Sequence, residues 1–183
     1  MSATLPGHAA PTAGFEVPLE MLSACHARIE QQCATLRRLG QYMATHGADA
    51  AARAAATSVI RYFETAANDH HADEEKDLFP ALIESMAGSD AVCLRELTRA
   101  LVAEHRELEA RWRDLRFTLE RVVANQGACL TRSDVEAFIG LYERHIEREE
   151  NELLPMAARL LSDDELERIG RAMRERRGID SKQ

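Results

Sequence analysis

The sequence predicts an all-α protein: an up-down-up-down four-helix bundle preceded by an N-terminal arm and followed by a short C-terminal helix. Three observations lead there. Apolar residues recur at three- and four-residue spacing through most of the chain, and no period-two alternation bounded by turn residues is present. The helical pattern breaks at Gly47, at Gly88-Ser89-Asp90 and at Asn125-Gln126-Gly127, which leaves four long segments with short connections. With 183 residues and 45% hydrophobic content the chain can bury one real core. It has no run of ~20 apolar residues of the kind a membrane-spanning helix needs.

In chain order, residues 1–18 carry Pro6, Gly7, Pro11, Gly14 and Pro18 and read as an extended arm. Helices are expected over 19–46, 50–87, 90–125 and 133–161, together forming the 19–161 bundle, and a fifth over 163–177 within the 162–183 tail. Ser133 with Glu136, and Ser162 with Glu165, have the spacing of a capping box and mark the starts of the last two. Pro80 and Pro155 fall inside helices two and four, where each is expected to remove a backbone hydrogen bond and kink or end its helix. The last helix is basic (Arg168, Arg171, Arg174, Arg176, Arg177). Compensation of its own C-terminal dipole is the expected role, with a docking surface for an acidic partner as the alternative.

Lys and Arg number 23 against 31 Asp and Glu, a net charge of −8, which argues against binding nucleic acid or an anionic membrane surface. No basic residue precedes an apolar stretch at the N-terminus, so no export signal is expected. The four cysteines (Cys25, Cys33, Cys93, Cys129) form no C-x-x-C pair, so a reduced, cytoplasmic setting with buried thiols is expected. Cys25, beside His26, is the candidate for a redox-active exception.

The acidic surplus is clustered, and the clusters repeat. His70-His71-Ala72-Asp73-Glu74-Glu75-Lys76-Asp77-Leu78-Phe79-Pro80 aligns without a gap on His145-Ile146-Glu147-Arg148-Glu149-Glu150-Asn151-Glu152-Leu153-Leu154-Pro155, at an offset of 75. Phe63 and Phe138 coincide seven residues before each histidine. Helices one and three match each other at an offset of 79, which superposes His26 on His105, Leu22 on Leu101, Ile29 on Leu108 and Leu36 on Leu115. The chain reads as a duplicated helical hairpin.

In an antiparallel hairpin two positions share a level only when the turn lies midway between them. The midpoint of His26 and His70 is residue 48, beside Gly47; that of His70 and His105 falls beside Gly88; that of His105 and His145 is Asn125, in the third break. All four histidines are therefore expected at one height, each on the apolar stripe of its helix. Glu74 and Glu149 lie one turn after His70 and His145 on the same face. Six polar groups on one layer of an apolar core are costly, at several kcal/mol per buried ion. A pair of metal ions makes the layer favourable, with carboxylates spanning the ions and imidazoles at their ends.

Several neighbours leave alternatives. His71 lies about 100° around the helix from His70; its counterpart in the repeat is Ile146, which cannot bind metal, so His70 is preferred. Glu30 and Glu109 follow a histidine by four and read as outer or solvated groups. Tyr142 reads as core, although it lies close enough to His145 to donate a hydrogen bond or relay an electron. Phe63 and Trp112 are expected to wall the site, and His8 and His46 to face solvent.

These residues resemble the hemerythrin-like, HHE cation-binding family over roughly 19–161. The resemblance rests on Ala24-Cys25-His26-Ala27-Arg28-Ile29, the His70…Glu74-Glu75…Leu78-Phe79-Pro80 block, Glu104-His105-Arg106-Glu107-Leu108 and the His145…Glu149-Glu150…Leu153-Leu154-Pro155 block. It implies two non-haem iron ions with an oxo or hydroxo bridge, manganese or zinc being the alternatives. His26, His70, His105 and His145 would be terminal ligands, and Glu74 and Glu149 bridging carboxylates.

The oxygen-carrying members have a second histidine one turn on in helix three, where this chain has Glu109. One position per octahedral ion would then be open, which favours chemistry on peroxide, nitric oxide or iron over reversible storage of dioxygen, unless His71 or Glu109 fills a site. The function implied is a stand-alone di-iron protein that binds or senses a small ligand such as dioxygen, nitric oxide or iron. The alternative is a di-iron enzyme acting on peroxide or nitric oxide, or one involved in iron–sulfur cluster repair. The latter relatives usually carry an additional cysteine-containing N-terminal domain, for which the arm is too short.

Overall fold

A computed structural model describes residues 14–85, 90–127 and 129–179. Most of the predicted arm, including His8, lies outside the described residues, as do Gly88 and Ser89 of the predicted second break. Among the described residues the secondary structure is helical, with no strand.

The first long helix, α1 (Pro18–His46), starts on a proline, whose missing N–H is an orphan at that position in any helix. It stops at Gly47, whose φ of 67° favours a residue without a side chain. Asp49 caps the next helix by accepting a 2.9 Å hydrogen bond from the Ala52 N–H. The second arm of the bundle runs through α2 (Ala50–Glu64), α3 (Ala66–Asp73), a π-helical turn (Glu74–Leu78) and α4 (Phe79–Ser85). Its interruption at Thr65 coincides with a hydroxyl that donates back to the Arg61 carbonyl at 2.7 Å. The third arm is one helix, α5 (Asp90–Val123), and the fourth comprises α6 (Arg132–Arg148), a second π-helical turn (Glu149–Leu153) and α7 (Leu154–Leu160). The last helix is α8 (Asp163–Arg176).

Two local expectations need correction. The helix expected to begin at Ser133 is capped instead by Thr131, which accepts from the Asp134 N–H at 3.1 Å and donates to its carboxylate at 2.6 Å. The Ser162–Glu165 capping box is present as expected. Nor does Pro80 or Pro155 end its helix. A proline ring clashes with the carbonyl four residues earlier, and here the preceding turn has widened to five-residue hydrogen bonding, Phe79 N–H to Glu74 C=O and Leu154 N–H to Glu149 C=O. Both helices continue beyond the proline.

α1 packs against α2 and α6, and α5 against α2 and α6, so the four arms close into a ring. The core inside it has two apolar blocks. Ile29, Leu36, Phe63, Leu108, Leu115 and Phe138 belong to one, and Leu22, Leu78, Leu82, Leu101 and Leu153 to the other. Each of the four predicted histidines falls in sequence between a residue of one block and a residue of the other, so the polar layer lies at the junction. α8 packs on α1 and α3. Its last residue Arg176 and the following Arg177 both pair with buried Asp73, and Arg176 also with Asp77 at 2.6 Å. Both arginines are therefore engaged within the molecule rather than on a docking surface, and Arg177 also donates to the Met173 carbonyl at 2.9 Å at the end of α8, as the dipole reading expects.

Candidate metal centre

The structure brings all six predicted side chains together. His26 comes from α1, His70 from α3, His105 from α5 and His145 from α6, and Glu74 and Glu149 each open one of the π-helical turns. None of the six is more than 2% exposed. The π-helical turns answer to the sequence directly: the same glutamate-to-proline block in each half produces the same widened turn at the same place, which carries its glutamate inward.

Within the layer the groups divide into two tetrads that share both carboxylates: His26, His70, Glu74 and Glu149 in one, and Glu74, His105, His145 and Glu149 in the other. In each tetrad one donor atom per residue lies within 4.8 Å of the others. The oxygens are apportioned between them. Glu74 turns Oε1 to His70 Nε2 at 3.5 Å and Oε2 to His105 Nε2 at 3.4 Å. Glu149 turns Oε2 to His26 Nε2 at 3.1 Å and Oε1 to His145 Nε2 at 3.2 Å. Adjacent ligands ~2.1 Å from one octahedral ion stand ~3.0 Å apart, close to these separations. His26 Nε2, both nitrogens of His70 and all four oxygens of Glu74 and Glu149 are buried without a hydrogen-bond partner. Buried polar atoms are ordinarily paired, so a group of orphans facing each other fits a donor set for cations.

Protons on neighbouring imidazoles balance the buried carboxylates, and a bound cation would take their place. Burial raises Glu74, and the neighbouring charge of Glu149 raises it further, to about 7. Burial alone would raise Glu149 as well, but His105, His145 and His26 around it hold it well below the usual carboxylate range. Burial opposes charge on His26 and His105, yet Glu149 with Glu150 on the first, and Glu149 with Glu74 on the second, push each up to about 10. His70 and His71 stay neutral because burial, and then a neighbouring histidine, disfavour their charged forms. Metal ligation takes neutral imidazoles, so loading the site displaces protons.

Three outer carboxylates orient three of the histidines, and sequence reasoning did not assign them. Glu150 sits 2.6 Å from His26 Nδ1, Glu75 2.8 Å from His105 Nδ1, and Glu104 2.9 Å from His145 Nδ1. With Nδ1–H donating outward, each Nε2 lone pair is left for the interior. The doubled glutamates of the repeat carried this signal: the first of each pair points into the core, and the second reaches a histidine on another helix. Glu75 serves His105 and accepts from Arg106 at 2.6 Å. Glu104 also accepts from Arg148 at 2.6 Å and lines a surface groove of about 510 Å³ with Leu108, Leu141, Arg144 and His145.

The remaining candidates divide cleanly. His71 is 7% exposed and lies at the layer, its ring stacked on His105 with centroids 4.0 Å apart. Glu109 points outward, 44% exposed and paired with Arg106, and Glu30 is exposed. Tyr142 is buried among Phe63 and Phe138 above the layer. Phe63 also contacts Trp112, whose indole N–H donates to Glu64 at 2.7 Å. His46 is exposed. Cys25 and Cys33 are buried, and burial raises both thiols, so Cys25 has the character of an inert core residue. Cys93 and Cys129 are exposed, contrary to expectation, because one lies on the solvent side of α5 and the other in the α5–α6 connection.

Comparison with known proteins agrees with the geometry. The sequence pattern of the hemerythrin HHE cation binding domain matches residues 17–157. An uncharacterized protein of Haemophilus influenzae is 34% identical over 167 residues, covering 91% of this chain and 94% of that protein. No helix among the described residues is long and apolar enough to cross a membrane. With the family pattern spanning most of the chain and two His/Glu clusters capable of holding metal at its core, the protein belongs to the hemerythrin HHE cation-binding family.

Proposed function

We propose that this protein holds two non-haem iron ions in the paired tetrads and uses them to bind or sense a small ligand: dioxygen, nitric oxide or peroxide. The observation that carries the reading is the sharing of Glu74 and Glu149, each with one oxygen toward either histidine pair. Two separate mononuclear sites would not require this. His26 and His70 would hold one ion, and His105 and His145 the other. Bound iron supplies a change of oxidation state and an exchangeable coordination position.

The chain contributes the rest. Glu75, Glu104 and Glu150 keep three imidazoles in the tautomer that presents Nε2 inward. The apolar blocks on either side exclude bulk water, so exchange at the site is limited to small molecules. The doubled carboxylates lower the net charge of the bound pair. Carboxylate and imidazole donors also accommodate manganese or zinc, so metal content is the first test.

Purified protein reconstituted without oxygen is expected to take up two irons per chain and to show ligand-to-metal absorption once oxidised. Dioxygen, nitric oxide and peroxide are then added to the reduced protein. A stable adduct with one of them supports a carrier or sensor, whereas repeated consumption of peroxide or nitric oxide would replace that reading with an enzymatic one. Failure to bind more than one metal ion would overturn the shared-carboxylate assignment.

A further inference from the structure

The two π-helical turns repeat in backbone but not in charge. At the offset of 75, Asp73 and Asp77 stand where Arg148 and Glu152 do, one residue before each turn and at its fourth position. Arg148 and Glu152 are of opposite sign, with Nε and Oε1 3.9 Å apart, so the second turn is bridged from within. Asp73 and Asp77 carry like charges, and Asp73 has no exposed side-chain surface through which water could screen it. The missing cation comes from the far end of the chain. Arg176, the last residue of α8, reaches Asp73 through Nη1 and Asp77 through Nη2, and so spans the turn. Arg177 holds Asp73 separately, at 2.6 and 3.1 Å. α8 packs on this turn as well as on α1 and α3, and its Ile169 and Met173 share an apolar block with Leu78 of the turn.

We infer that α8 positions Glu74, with Arg176 fixing the spacing of Asp73 and Asp77 and thereby aiming the carboxylate between them at His70 and His105. This inference rests on the metal-centre reading above. A π-helical turn is an uncommon state of the backbone, and the pitch of the turn sets the direction of its first residue. Neither oxygen of Glu74 has a hydrogen-bond partner, so the backbone beneath it decides where it points. Glu149 sits on a turn whose flanking charges need no help from α8. Docking of α8 and occupancy of the centre therefore favour each other, and linkage makes the coupling equal in both directions. Loss of metal loosens α8, and release of α8 weakens the hold on metal. All six ligands lie inside the four arms, so α8 is the element through which occupancy alters the outside of the molecule.

Ferrous iron is the probe, titrated without oxygen against a competing chelator. Arg176→Gln removes the span across the turn while Arg177 still holds Asp73, and it is expected to weaken iron binding about tenfold. Adding Asp77→Lys gives the first turn opposite charges at the two positions where the second has them, and should restore most of that affinity. In the unaltered protein, iron is expected to slow hydrogen exchange at residues 169–173 roughly tenfold more than at residues 52–56, beside the Gly47 turn. Unchanged iron affinity in Arg176→Gln, a double variant no tighter than the single one, or equal slowing in both segments overturns the inference and leaves the metal-centre reading standing. An unaltered protein that takes up no iron overturns both. Circular dichroism of the metal-free variants monitors folding, and hydrogen exchange in the unaltered protein decides the question should Arg176→Gln not fold.

Discussion

Replacing Asp73 with asparagine should destabilise the protein far more than a typical polar substitution. Asp73 has no exposed side-chain surface and precedes Glu74 in the chain. Arg177 approaches its two oxygens at 2.6 and 3.1 Å, and Arg176 binds the same carboxylate. Asparagine keeps the shape and removes the charge. Arg176 would still have Asp77, but Arg177, only 15% exposed, would face no anion, keeping only the amide oxygen of the substituted side chain, the Met173 carbonyl at 2.9 Å and the face of Phe15. Stranding one member of a buried ion pair costs about 3–5 kcal/mol. At ~2–4 °C per kcal/mol for a domain of this size, melting should fall by roughly 6–20 °C. Thermal and urea denaturation of the metal-free protein measure this without interference from ligand binding. The paired variant Asp73→Asn/Arg177→Met should recover most of the loss, because it removes the stranded charge as well. A cost below ~1 kcal/mol for Asp73→Asn, or simple additivity in the pair, would show that α8 is not held by this contact and refute the argument.

Further expectations concern the metal layer and the caps. Glu149→Ala and His105→Ala should each lose bound metal and the stabilisation that metal confers, about 2.7 kcal/mol at a hundredfold excess over Kd, while His46→Ala changes neither; metal analysis and melting with and without iron decide this. Glu150→Gln and Glu75→Gln leave the six donors intact but loosen a histidine, so metal affinity should fall about 10–100-fold in competition with a chelator, against no change for exposed Glu152→Gln. Ser162→Ala removes the acceptor of the Glu165 N–H at the start of α8 and should cost about 1 kcal/mol in urea denaturation, with the metal content unchanged.

The metal layer was legible because its determinants are local or periodic. The turn at Gly47 and the break around Asn125 set equal arm lengths on either side, which is why midpoints counted along the chain place His26, His70, His105 and His145 at one height. The same counting could not show that Glu75 crosses to His105 or Glu150 to His26. Those contacts depend on the rotation of each helix about its axis and on the widened turn before Pro80 and Pro155. The prolines announced a disturbance, but a kink, an end and a five-residue turn all answer the same loss of a backbone N–H.

The sequence by itself determined the helical class, the near-twofold repeat and the six inward polar groups, since hydrophobic period and element length are properties of consecutive residues. Only the tertiary structure decided which oxygen of each shared carboxylate faces which histidine pair, that His71 joins the layer while Glu109 leaves it, and that Arg176 and Arg177 turn back onto Asp73. Each of these is fixed by the packing angle and separation of helices far apart in the chain, quantities that no single helix encodes.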